Sequence, residues 1–162
     1  VSRILSRILG IDPGPAKSAL VGLVGAAIVE RVHASNPEIV DAIRKLSHAF
    51  DLLAIEWIES FGMPVGAEVF HTCRWVGRFE AAWDRPHEIR LVPRRHVKLA
   101  LCNSTRAKDA NVRRALLDRY GGDESVRKGG PLAGVRRDLW SALAVGVTAQ
   151  AGIVAGTDCV GT

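Results

Sequence analysis

Leu52-Leu53-Ala54-Ile55-Glu56-Trp57-Ile58 is an unbroken apolar run with one carboxylate inside it. A strand with one wet face alternates apolar and polar residues; a strand covered on both faces does not. Covered strands belong to sheets with helices on each side, so this stretch selects an α/β domain.

The flanking sequence agrees. Upstream, Arg7 to Ile11 reads as a strand that stops at Asp12-Pro13-Gly14-Pro15, a cluster of turn formers. Ala19 to Val24 and Ala27 to Val32 read as two more strands joined near Gly25, an antiparallel opening. Asn36-Pro37-Glu38 predicts a helix start, with Asn36 as N-cap and Pro37 in the first turn. Ile39, Val40, Ile43 and Leu46 carry its helical spacing.

Downstream, residues 62–66 read as a loop and Ala67 to Trp83 as a helix. Its apolar surface is Val69, Phe70, Cys73, Val76, Gly77 and Phe79. Ile89 to Val92 is a short strand ending at Pro93, Val97 to Cys102 a short helix, and Ala107 to Tyr120 an amphipathic helix closed by Gly121-Gly122. The Gly-rich, charged stretch 121–134 is expected to be mobile, before a last helix from Val135 to Val154. This order predicts one α/β domain over 1–162, with a mixed five-stranded sheet flanked by helices. Residues 1–6 are an extension, where Ser2-Arg3-Ile4-Leu5 recurs as Ser6-Arg7-Ile8-Leu9, and 156–162 a frayed tail.

Composition narrows the function. The net charge of +5 is moderate for 162 residues. Its distribution is not: residues 1–84 carry 8 basic and 10 acidic side chains, residues 85–162 carry 14 and 7. Between Arg90 and Lys128 there are 11 basic residues and four acids. A basic surface there suits a polyanion such as DNA, and Arg94, Arg95, Arg106, Lys108, Arg113 and Lys128 are its candidate contacts. No apolar run approaches the ~20 residues of a membrane span. Asp12 and Pro13 break the N-terminal apolar stretch too early for a signal peptide. Three cysteines, Cys73, Cys102 and Cys159, show no metal or disulfide spacing. They predict reduced thiols and a cytoplasmic protein.

Three acids stand in unusual company. Asp12 ends the first strand, Glu56 lies in the apolar run, and Asp138 lies near the start of the apolar helix in Arg137-Asp138-Leu139-Trp140-Ser141-Ala142-Leu143-Ala144. Buried carboxylates are costly unless paired or bound to a cation. If these converge, a hard divalent ion relieves their repulsion, and Mg²⁺ is the usual one, with Mn²⁺ as substitute. Two such ions roughly 4 Å apart can hold the attacking and leaving oxygens of a phosphodiester. Singly, each acid also fits a turn, an ion pair or a helix N-terminus.

Taken in order, the motifs resemble the RuvC-type Holliday junction resolvases, especially their phage-type branch, within the RNase H-like superfamily. They are Ile8-Leu9-Gly10-Ile11-Asp12-Pro13-Gly14, Leu53-Ala54-Ile55-Glu56, Gly62-Met63-Pro64-Val65-Gly66, Cys73-Arg74-Trp75-Val76-Gly77-Arg78-Phe79, Arg106-Ala107-Lys108-Asp109-Ala110-Asn111-Val112 and Asp138-Leu139-Trp140-Ser141-Ala142-Leu143-Ala144. They cover roughly residues 7–147.

The resemblance implies an RNase H-like fold and Mg²⁺-dependent, symmetric nicking of four-way DNA junctions by a homodimer. It implies that Asp12, Glu56 and Asp138 are metal ligands, and that Lys98 and Lys108 stand near the scissile phosphate. Phe61 and Met63 would reach toward the junction centre, and the helix 67–83, with Trp75 and Phe79 on one face, would form the dimer. A fourth carboxylate one turn after the third is part of the family pattern, and Ser141 stands there. Other readings stay open on the residues alone: a related nuclease acting on other branched DNA or RNA–DNA hybrids, or a junction-binding module without catalysis.

Overall fold

Strand β1 (Arg7–Asp12) divides the interior in two, because its side chains alternate across the sheet. In a computed structural model of the chain, described over residues 6–154, Ile8 points into one apolar cluster, and Leu9 and Ile11 into the other. Strand β4 (Leu52–Trp57) repeats the division: Leu52 and Ala54 on the first side, Leu53 and Ile55 on the second. Both faces of these central strands are covered, as the unbroken apolar run at 52–58 requires.

The remaining strands are β2 (Lys17–Val24), β3 (Ala27–Ser35) and β5 (Ile89–Pro93). The sheet order is β3-β2-β1-β4-β5. The β1–β2 and β2–β3 pairs are antiparallel, while β1–β4 and β4–β5 are parallel. Helices α1 (Asn36–Leu46) and α2 (Ala67–Ala82) cover the second face, with Ile39, Ile43, Val76 and Phe79 buried against it. Helices α3 (Arg94–Cys102), α4 (Asp109–Arg119) and α5 (Leu139–Val154) build up the first face, α5 lying directly on β1 and β2.

Helix α5 approaches the sheet closely because two glycines meet. A methyl group on Gly10 would fall 2.5 Å from the backbone oxygen of Ala142, and one on Gly146 would fall 2.9 Å from Leu23 Cδ1. The absent side chains at β1 and α5 are therefore what lets backbone pack on backbone.

Several expectations are corrected. The N-cap of α1 is Ser35, whose backbone N–H and hydroxyl both donate to Glu38 Oε2, at 3.0 and 2.6 Å. Asn36 is the buried first residue of the helix, and its amide is used elsewhere. Phe70 and Gly77, read as part of the apolar surface of the 67–83 helix, face outward instead. Phe79 is fully buried against the sheet, while Trp75, 6.2 Å from it, is half-buried beside α1 with Arg78 on its ring. The 121–134 segment is folded back on itself. A short 3₁₀ turn at Asp123–Val126 leads to Leu132, which is fully buried, and the Leu132 N–H donates to the Ser125 carbonyl at 2.8 Å. Helix α5 begins at Leu139, which leaves Asp138 immediately ahead of its first turn. Cys73 and Cys102 are free thiols. Residues 1–5 of the 1–6 extension, the tail at 156–162 and Cys159 lie outside the described residues. Among the described residues no helix is long and apolar enough to cross a membrane.

Candidate functional site

Strand parity and register place the acids. Ile11 pairs with Ile55 and points to the α2 side, so the next residues, Asp12 and Glu56, both point to the α5 side at neighbouring strand ends. Asp12 pairs with Ala19 on β2, and Ala19 pairs with His33 on β3. Glu56, Asp12, Ala19 and His33 therefore form one row across the sheet, on one face. Asp138 comes to this row from α5, which packs on the same face.

The turn after Asp12 is held from below. The Gly14 N–H donates to Ser18 Oγ at 3.0 Å, the Ser18 hydroxyl donates to Asn36 Oδ1 at 2.6 Å, and Asn36 Nδ2 donates to the Gly14 carbonyl at 2.9 Å. Ser18 and Asn36 are buried, and each finds its partner in the other and in the turn.

The electrostatics are those of crowded acids. Burial, then the neighbouring Glu56 and Asp138, raise the Asp12 carboxyl to about 7, against the pull of Arg94. Burial also raises Glu56, while Arg94 and Lys98 oppose it. Arg94 Nη1 donates to Glu56 Oε2 at 3.3 Å and Nη2 to Asp109 Oδ1 at 2.5 Å. On the other side, His33 Nε2 lies 3.2 Å from Asp138 Oδ2.

These contacts bear on metal binding. As the side chains stand, no three His, Cys, Asp or Glu among the described residues are close enough together to hold an ion. Glu56 is engaged by Arg94 and Asp138 by His33. The chemistry of the donors nonetheless suits a hard divalent cation: two carboxylates on adjacent strand ends, a third facing the same row, and an Asp12 carboxyl raised first by burial and then by its acidic neighbours. Ser141, in the first turn of α5, lines the cavity beside Asp138.

The remaining candidates spread outward from this centre. Lys98, on α3, lies close enough to lower the proton affinity of Glu56. Lys108 caps α4 and is exposed, its backbone N–H donating to Asn111 Oδ1 at 2.9 Å. Arg95 pairs with Glu59 at 2.8 Å. Arg106 and Lys128 are exposed. Arg113 stacks on the Trp140 ring at 4.8 Å. Phe61 and Met63, in the loop after β4, are 77% and 74% exposed, which removes them from the core. Arg94 is the residue whose placement differs most from a surface reading, since it sits among the carboxylates. Sequence reasoning missed His33 and Asn36. The only signal for His33 was its place on a strand next but one to Asp12, and using it requires the register.

Two solved structures share the fold. One is RuvC of Thermus thermophilus, with TM-score 0.70 and 17% identity, covering 93% of this chain and 97% of that one. The other is T. thermophilus RuvC in complex with Holliday junction substrate, with TM-score 0.71 and 19% identity, covering 94% and 97%. The chain thus has the RNase H-like fold of these structures, as its motifs imply. No protein-family model matches it, and no curated protein does.

Proposed function

We propose that the chain is a structure-selective DNA endonuclease of the RuvC type, which resolves four-way junctions by divalent-metal-dependent phosphodiester hydrolysis. The observation that carries this reading is the single row Glu56–Asp12–Ala19–His33 facing Asp138, in a fold similar to one seen holding a Holliday junction. Its place of work is the cytoplasm.

Asp12, Glu56 and Asp138 are the residues that would hold Mg²⁺, or Mn²⁺ in its place. Bound there, the ions supply positive charge that acidifies water and stabilises the oxygens of an in-line displacement. The chain's own contribution is positional. Asp12 binds its proton more tightly than an ordinary carboxylate, because burial and its acidic neighbours disfavour the anion, and positive charge arriving beside it would favour the ionised form. Arg94 opposes the upward shift that burial imposes on Glu56, and the turn clasped by Ser18 and Asn36 fixes the end of β1. Lys98 sets an ammonium near Glu56, where it can neutralise charge on a phosphoryl oxygen; Lys108 is assigned the same task from the start of α4. Arg95, Arg106 and Lys128 follow the DNA backbone, and Phe61 and Met63 stack on bases at the branch. A second copy docks on α2 through its outward face, where Phe70, Arg74 and Gly77 lie.

The test is Asp12→Asn on a mobile four-way junction in Mg²⁺. The parent gives paired symmetric nicks, and the variant binds the junction but cuts it on the order of a hundredfold more slowly or not at all. Normal cleavage by Asp12→Asn refutes the assignment. Preferential cutting of a fork or an RNA–DNA hybrid by the parent moves the substrate to another branched or hybrid duplex.

A further inference from the structure

Next to the row of acids, between α4 and the start of α5, lies a cavity of about 410 Å³. Its walls include Arg94, Arg113, Arg137, Trp140, Asp109 and Asp138. The three arginines differ in what they are doing. Arg94 is spent on Glu56 and Asp109. Arg113 and Arg137 have no carboxylate partner among the described residues. Arg113 is nevertheless not loose: its guanidinium rests 4.8 Å above the Trp140 ring. Stacking orients the planar fork and leaves its N–H edges free to donate.

Arg137 carries a second signature. Its φ is 48°, in the left-handed region that side chains other than glycine rarely adopt. It immediately precedes Asp138, so the bend that brings Asp138 to the row also sets the position of Arg137. Strained backbone of this kind persists where the surroundings enforce it. Of the two acids in the wall, Asp109 is paired with Arg94 and Asp138 lies 3.2 Å from His33, while Arg113 and Arg137 have no carboxylate partner among the described residues.

We propose that this cleft binds a backbone phosphate of the DNA, next to the phosphodiester presented to the carboxylates, with Arg113 and Arg137 as its two donors and Trp140 as the shelf for Arg113. The proposal rests on the nucleic-acid reading above and adds the residues that fix the strand's register against the acids. Trp140 is a positioning residue, acting through Arg113.

The experiment measures binding of a four-way junction and of a plain duplex as a function of salt. It compares the parent with Arg113→Ala, Arg137→Ala and Lys45→Ala, the last an exposed lysine on α1 that controls for loss of charge alone. Each neutralised phosphate contributes about 0.9 to the slope of log affinity against log salt. Arg113→Ala and Arg137→Ala are expected to lower that slope by about one contact and to weaken binding about tenfold at moderate salt, with Mn²⁺ affinity unchanged. Lys45→Ala should keep the parent slope. Trp140→Leu should reproduce the Arg113→Ala slope with both arginines present. If the two arginine variants keep the parent slope on both DNAs, the cleft is refuted, whether or not the parent cuts junctions. If the parent cuts no branched DNA yet the arginine variants lose slope on the duplex, the endonuclease reading falls and the cleft stands.

Discussion

His33 Nε2 lies 3.2 Å from Asp138 Oδ2, joining the far edge of the antiparallel ribbon to the start of α5. A carboxylate with one oxygen held against an imidazole presents the other in a fixed direction, and such outer partners strengthen metal sites. His33→Ala should weaken Mn²⁺ binding about tenfold or more by calorimetry, and His33→Gln, which keeps an N–H, should recover part of it. Equal affinities in all three proteins would show that the contact orients nothing.

The acidity of Asp12 has a consequence for stability. Its carboxyl titrates near 7 in the folded chain and near its ordinary value, about 4, when unfolded. The fold therefore binds this proton more tightly than the unfolded chain does. The associated stability is fully present below about pH 4 and is lost as pH rises to about 7. Between pH 4.5 and pH 8 the parent should lose roughly 3 kcal/mol relative to Asp12→Asn, whose amide does not titrate. Urea unfolding of both proteins at pH 4.5 and pH 8, without divalent ions, measures the difference. A constant gap across pH would mean that Asp12 is already ionised at pH 4.5.

Phe61 and Met63 contribute to no core, so their removal separates binding from folding. Phe61→Ala and Met63→Ala should each leave stability within about 0.5 kcal/mol of the parent. Each stacked base lost costs ~1–3 kcal/mol of affinity, so junction binding should weaken roughly tenfold or more. Thermal melts beside a junction titration check both halves. Unchanged junction affinity would return these side chains to the solvent.

What the sequence made legible was whatever depends on neighbours along the chain. The run at Leu52–Ile58 announced a doubly covered strand, and the company of Asp12 and Glu56 marked them as acids in apolar surroundings; Asp138, though followed by a stretch just as apolar, stands exposed ahead of α5. What stayed hidden depends on pairing between distant segments. His33 reaches the row only because β2 and β3 pair as they do, with an irregularity at Gly22/Leu23 that shifts the register partway along. Asn36 looks like a cap from its local sequence, yet its amide is committed to a turn twenty-two residues earlier. The Trp75–Phe79 stripe shows the same limit, because helical spacing reveals an apolar face but not whose surface it meets.

The meeting of Gly10 and Gly146 also sets a prediction. Gly10→Ala drives a methyl group against the α5 backbone, so it should destabilise the fold by about 2–3 kcal/mol or push the helix outward. Denaturant midpoints read the first outcome. Since Asp12 follows on the same strand and Asp138 precedes the same helix, an outward shift also lowers Mn²⁺ affinity.

This contact inverts the usual logic of scanning mutagenesis. An alanine scan finds functional positions by removing atoms, and it treats a change to alanine as the mildest available. Here the spacing between two acid-bearing elements is set by atoms that are not there, at one position two residues before Asp12 and another eight residues after Asp138. Random substitution should therefore mark Gly10 and Gly146 as intolerant as the acids themselves, although neither has a side chain with which to touch a substrate.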